Sequence, residues 1–272
     1  MKKKTSSTPK PLLVAAVALA GAGAQAQDVL APFDRILATF VTPVGTVNYA
    51  GLKAHPQDLE AFLRFLATAP GQERGNEPKA VHMAFWINAY NALTLKTIVD
   101  NYPIRPRGLK ALIYPASSIR QIPGAWTDRR WRVAGRLLSL DDIEHRILRP
   151  QFGDPRVHMA LVCAAAGCPP LRKEAYRGED LDSQLDDQAR RYLASPAGLR
   201  VDPQGREVAV SSIFKWFEAD FGGPQGVRAF LRRYAPAPTA RLLSDPTVSV
   251  TFIEYDWRLN DAQGGQNDQK HE

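Results

Sequence analysis

The stretch PKAVHMAFWINAYNALTLKTIVDN, residues 78–101, decides the reading of this chain. At about 100° per residue, Val81, Ala84, Phe85, Ala92, Leu95 and Val99 fall in one arc about 100° wide, which predicts an amphipathic helix. Pro78 suits the first turn and Pro103 follows the end. Two amides interrupt the apolar face: Asn88 lies mid-arc, and Asn91 at its edge between Ala84 and Ile87. A buried amide without partners costs roughly 1–3 kcal/mol. Each must be satisfied by backbone, by a neighbouring side chain or by a ligand. Both are therefore candidate binding residues as well as candidate loop ties.

Working outward, periodicity predicts further helices over 30–41, 59–67, 181–193 and 226–234. Ser139 can cap a helix through Leu148, with Asp142 as its capping-box partner, and Ser211 or Ser212 one through Phe221. Strands are fewer. Residues 131–133 and 136–138 flank an Ala-Gly turn and suggest a hairpin. Residues 199–201 and 207–210 flank Asp202-Pro203-Gln204-Gly205, and 248–255 alternates in part. Val157 to Cys163 is almost continuously apolar, as a strand buried on both faces would be. The sum is an α+β class: helix-rich, with a small, mostly antiparallel sheet.

Chemistry-bearing residues cluster after residue 140. Glu144 shares a predicted helix face with Leu140, Ile143 and Ile147, so its carboxylate needs a cation or donors, or it protonates. His145, Arg149, His158 and the hairpin arginines are its candidate partners. A structural Glu–Arg tie is the blander state and acid/base work the sharper one. On a strand, His158 and Cys163 would point to opposite faces, which weakens a direct Cys–His pair. Glu144, His145, His158 and Cys163 are the candidate catalytic set. Arg149 and Trp131 join Asn88 and Asn91 as candidate binding residues. Cys163 and Cys168, five apart, suggest a disulfide in an exported chain, with a free nucleophilic thiol as the alternative. Two cysteines and no paired histidines at ligand spacing argue against zinc, and no sequence feature calls for a cofactor.

The 272 residues carry 35 Lys+Arg against 28 Asp+Glu, a formal +7. Lys2, Lys3, Lys4 and Lys10 precede the apolar run Leu12–Ala20 and the small-x-small site Ala24-Gln25-Ala26. Residues 1–26 therefore read as a secretory signal, too short to span a bilayer, and predict a periplasmic or secreted protein. The mature charge falls to 31 minus 28, or +3. Residues 105–156 hold eleven Lys/Arg and five Asp/Glu, a local +6 that points to an anionic small molecule or protein partner. No nucleic-acid signature and no later membrane span appear. Residues 27–259 read as a single globular domain, and 260–272 as a disordered polar tail.

AFWINAYNALT (84–94), LSLDDIEHRILRP (138–150), VHMALVCAAAGCPPL (157–171), SSIFKWFEADFG (211–222) and FIEYDWRLN (252–260) together resemble the domain of unknown function 547 family, over about 47–260. The resemblance implies an exported bacterial domain and no settled reaction. Its motif positions fall on Trp86, Asn88, Tyr90, Asn91, Glu144, His145, Arg149, His158, Cys163, Cys168, Pro169, Phe214, Trp216, Phe217, Tyr255 and Asn260. Element order also looks similar to papain- and transglutaminase-like hydrolases, whose long helix begins at a Cys; this helix has none. The expected function is a binding or interaction module with a polar pocket near the Arg-rich segment. The alternative is a divergent Cys/His hydrolase or acyl transferase.

Overall fold

Thr94 and Thr97, on the 78–101 stretch, turn their hydroxyls back onto the carbonyls of Tyr90 and Leu93, and so sit buried on a helix at no polar cost. That helix is α4 (Lys79–Asn101), and nearly all of its length from Met83 to Val99 is buried. The computed structural model describes residues 21–70, 77–106 and 108–263, with side chains from Val29 onward. Before α4 come α1 (Gly21–Phe40), α2 (Tyr49–Ala54) and α3 (Gln57–Thr68). The Phe33 and Phe62 rings stack at 4.6 Å and join α1 to α3. The signal segment expected over 1–26 lies outside the described residues up to residue 20, and its remainder opens α1.

The hairpin forms as the sequence requires. β1 (Trp131–Val133) pairs antiparallel with β2 (Arg136–Leu138) across Ala134 and Gly135, both at positive φ. Such a pair is the turn geometry that matches strand twist. β3 (Leu199–Val201) pairs antiparallel with β4 (Glu207–Ser211), and β4 pairs parallel with β5 (Ser249–Ile253). Two of the three pairings are thus antiparallel in an α+β fold.

The helix after Ser139 has the expected capping box, but it is not uniform. α5 (Leu140–Ile143) runs into a π-helical turn, Glu144–Leu148, and then α6 (Arg149–Phe152). The Arg149 amide donates five residues back, to the Glu144 carbonyl. Pro150 gives the reason: in a regular α-helix its ring would meet the carbonyl of residue 146, and a widened turn relieves that clash.

The expected strand at Val157–Cys163 is not a strand. Asp154 accepts from the Arg156 amide and Pro155 follows it, so the chain turns into a short helix, α7 (Val157–Ala160). The chain then leaves the helix at Leu161 in extended form. The apolar run reports burial, which a buried helix shares with a buried strand. With no His-bearing strand after the long helix, the element-order likeness to papain-like hydrolases loses its basis.

Two apolar cores result. The larger gathers α1–α5, the hairpin and the segment through Leu185; the second gathers the end of α8 (Leu181–Leu193), β3–β5, α9 (Ile213–Trp216) and α10 (Gly223–Tyr234). A last helix, α11 (Ala237–Leu242), packs on α10. The seam runs through α7, where Val157 and Ala160 face the first core and Met159 the second. Residues 260–263, expected to open the polar tail, are described and 260 and 261 are tied to the fold. Asn260 accepts from the Val47 amide and the Tyr49 hydroxyl, and Tyr102 donates to Asp261. Residues 264–272 lie outside the described residues.

Candidate functional site

A cavity of about 350 Å³ opens at the seam between the two cores. Glu144, His145, His158 and Cys163 all line it, so the four candidate catalytic residues converge. His158 and Cys163 meet there because α7 is a helix; the opposite-face argument held only for a strand. Tyr90 enters from α4, Trp126 and Arg120 from the segment before the hairpin, Trp216 and Phe217 from α9 and its end, and Tyr255 and Trp257 from the chain after β5.

One polar chain edges the cavity. Arg149 grips Asp220 with two bonds, Nε to Oδ2 at 2.6 Å and Nη2 to Oδ1 at 2.8 Å. Its Nη1 faces His145 Nδ1 at 2.8 Å, and His145 Nε2 faces Asp141 at 3.3 Å. On the other side His158 Nε2 meets Asp220 Oδ2 at 2.7 Å. Asp141, His145 and Arg149 are four residues apart, and the π-helical turn keeps them in a column. The Arg149 guanidinium holds the Asp220 carboxyl down at about 2. Burial pushes His158 down to about 4, and Asp220 only partly opposes this because Arg149 already neutralises it. A neutral His158 beside a carboxylate donates from Nε2, and its Nδ1 keeps the lone pair. Phe217 stacks on the imidazole at 4.0 Å and holds its plane.

Glu144 forms no ion pair among the described residues, which corrects the expected Glu–Arg tie: Arg149 is committed to Asp220. Burial raises the Glu144 carboxyl above its ordinary value, partly opposed by His145 and by the Tyr90 hydroxyl. Tyr90 is itself buried and raised, lying between Glu144 and the Trp126 indole. Cys163 and Cys168 are joined in a disulfide on the cavity wall, with the Tyr255 hydroxyl 3.0 Å from one sulfur and 3.1 Å from the other.

The aromatic wall is continuous. Tyr255 and Trp257 lie 4.7 Å apart, Trp216 and Tyr255 4.8 Å, and Trp216 and Trp257 stack at 5.8 Å. The Arg120 guanidinium lies over Trp257 and Tyr114, each at 4.7 Å, and donates to the Tyr114 hydroxyl. Among the described residues Arg120 has no carboxylate partner. Four other cations of the basic stretch are spent on acids: Arg130 and Arg146 on Asp142, Arg149 on Asp220, and Arg156 on Asp154, Asp182 and Asp186.

The amides of α4 do not reach this cavity. Asn88 donates to the Tyr176 carbonyl at 2.8 Å and accepts from the Tyr176 amide at 2.9 Å. Asn91 donates to the Ala160 carbonyl and accepts from the Val162 amide, both at 3.0 Å. Both tie loops to the helix, and neither side chain lines the cavity. Trp131 packs on the first core away from the cavity, and Arg149 acts through Asp220 and His145. The residues that sequence reasoning missed are Asp220, Arg120 and Trp257. Asp220 had one visible signal: it stands beside Phe221 and three residues after Phe217 on the helix expected to end at Phe221.

Among the described residues no three His, Cys, Asp or Glu side chains form a group that could hold a metal ion. No curated protein and no solved structure matches the chain. Residues 76–193, which carry α4, the hairpin, the π-helical turn, α7 and the disulfide, match the family described as "Protein of unknown function, DUF547".

Proposed function

We propose that this is an exported binding module whose seam cavity takes a small organic anion with a flat or apolar body. The observation that carries this is Arg120: a guanidinium on the cavity wall, spread over aromatic rings, with no carboxylate partner among the described residues. A carboxylate or phosphate would supply the paired acceptor that the fold withholds. The Trp216, Tyr255 and Trp257 rings offer flat apolar area for the rest of the ligand. The neutral His158 contributes a hydrogen-bond acceptor rather than a charge.

The Cys/His hydrolase alternative needs a thiolate at Cys163 and a histidine that titrates near neutrality. The disulfide and the depressed His158 weigh toward binding. Three tryptophans on the wall make the test direct. Benzoate and indole-3-acetate should shift tryptophan emission saturably, and benzylamine and tryptamine should not. Arg120→Gln should weaken the carboxylates at least about tenfold, or about 1.4 kcal/mol. Equal binding of the amines, or carboxylate binding untouched by Arg120→Gln, would sink the reading.

A further inference from the structure

The segment that leads to Arg120 carries a surface feature with no role in the ligand cavity. Leu109, Leu112 and Ile113 are 80%, 85% and 70% exposed on and just after one 3-10 turn, Gly108–Leu112. Single exposed apolar residues are ordinary on a protein surface; three large ones on one turn form a patch. A slack loop would fold such side chains inward. This one is braced from beneath: buried Gln121 donates to the carbonyls of Lys110 at 3.1 Å and Tyr114 at 3.0 Å. Ser118, fully buried, caps the next turn by accepting from the Arg120 amide. The fold therefore holds the apolar tip outward.

The segment itself carries charge of one sign, with Asp100 and Asp128 just outside it and Asp100 lining one pocket with Arg105. Residues 101–127 contain Arg105, Arg107, Lys110 and Arg120 and no acid. Arg105 and Lys110 are exposed beside the tip. Apolar side chains that enter the headgroup boundary, ringed by cations that meet anionic headgroups, are the chemistry of a lipid-surface anchor. We infer that the Leu109–Ile113 turn docks this protein onto an anionic lipid bilayer, peripherally and without crossing it. Among the described residues no helix is long and apolar enough to span a membrane. The turn ends at Tyr114, whose ring meets Trp257 edge-on and whose hydroxyl accepts from Arg120. Docking would thus set the Arg120 wall of the cavity beside the lipid. The inference stands independently of what the cavity binds.

The test is co-sedimentation with vesicles containing phosphatidylglycerol, against pure phosphatidylcholine. The apolar run Leu12–Ala20 could itself touch lipid, so variants of the same chain are compared. The wild type should bind the anionic vesicles, and Leu109→Glu/Leu112→Glu should bind them at least about tenfold less. Lys110→Glu should weaken binding at low salt and match the wild type at about 1 M, where the Debye length is ~3 Å. Both substitutions sit on exposed positions, so an unchanged melting profile serves as the folding control. Equal binding to neutral vesicles, or binding unaltered in the double variant, overturns the inference. A wild type that is oligomeric while the double variant is monomeric would assign the patch to a second copy of the chain and also overturn it.

Discussion

The two amides of α4 and the charged groups at the seam pose the same problem: polar side chains inside apolar surroundings. They solve it differently. An Asn side chain has one carbonyl and one NH₂, the same complement as a peptide group, so Asn88 and Asn91 each pair two ways with another segment's backbone. Asn91 in effect supplies the sheet partner that Leu161–Cys163 lacks. Carboxylates accept and guanidinium donates, so neither can satisfy a backbone segment in both directions. Asp220, Arg149, His145 and His158 turn to one another, and where they meet the packing stays open. Amides close the fold and ionisable groups leave a cavity.

The largest expected effect tests the closing half. Asn91→Ala strands the Ala160 carbonyl and the Val162 amide in the interior. Urea unfolding should show a loss of about 2–4 kcal/mol, with the carboxylate probes still bound by the folded fraction. A loss below about 0.5 kcal/mol would mean that α7 and its exit stand without the tie.

Next in size is the pH response of the seam. His158 falls from an ordinary 6.5 to about 4 on folding. Between those values the unfolded chain binds the extra proton. Its contribution is therefore complete above about pH 6.5 and lost as the pH drops toward 4, by about 3 kcal/mol. Asp220, lowered from 3.8 to about 2, loses its contribution in a separate, more acid window. Unfolding measured at pH 7 and pH 4.5 should show the first loss, and His158→Gln should flatten it. A His158→Gln profile as steep as the wild type would remove His158 from the account.

How much of this was legible in the sequence follows the same division. Regular elements with local signals were readable: the Ala-Gly hairpin, the Ser139–Asp142 capping box, the 181–193 helix, and the 199–201 and 207–210 strands. The misread segment, Val157–Ala160, had no period to read, because a run buried on all sides looks the same as helix or strand. The side chains were legible: Glu144 as a carboxylate on an apolar face, His145 and His158 as its candidate partners, and Cys163 by its spacing from Cys168. Their convergence was not, since it depends on a π-helical turn and on which core each face of α7 meets. Asp220 and Arg120 come from distant segments, and only tertiary packing brings them to the cavity.

The smallest expected effect is the sharpest test of the comparison, because it concerns a residue of the open half that resembles the closed half. Glu144 lies on a helix within a mostly apolar face, as Asn88 does, yet among the described residues it has no ion pair. Burial raises its carboxyl, so ionising it works against the folded state as the pH rises past that raised value. Glu144→Gln removes the ionisation and keeps the shape. At pH 7 the variant should be as stable as the wild type or more so, by less than about 1 kcal/mol, and at pH 4 the two should converge. With the ionisable carboxyl gone from the cavity, benzoate should bind the variant at least as tightly at pH 7. If Gln instead lowered the stability as Asn91→Ala does, Glu144 would be a tie like the amides, and the division between closing and opening groups would fail at its most exposed point.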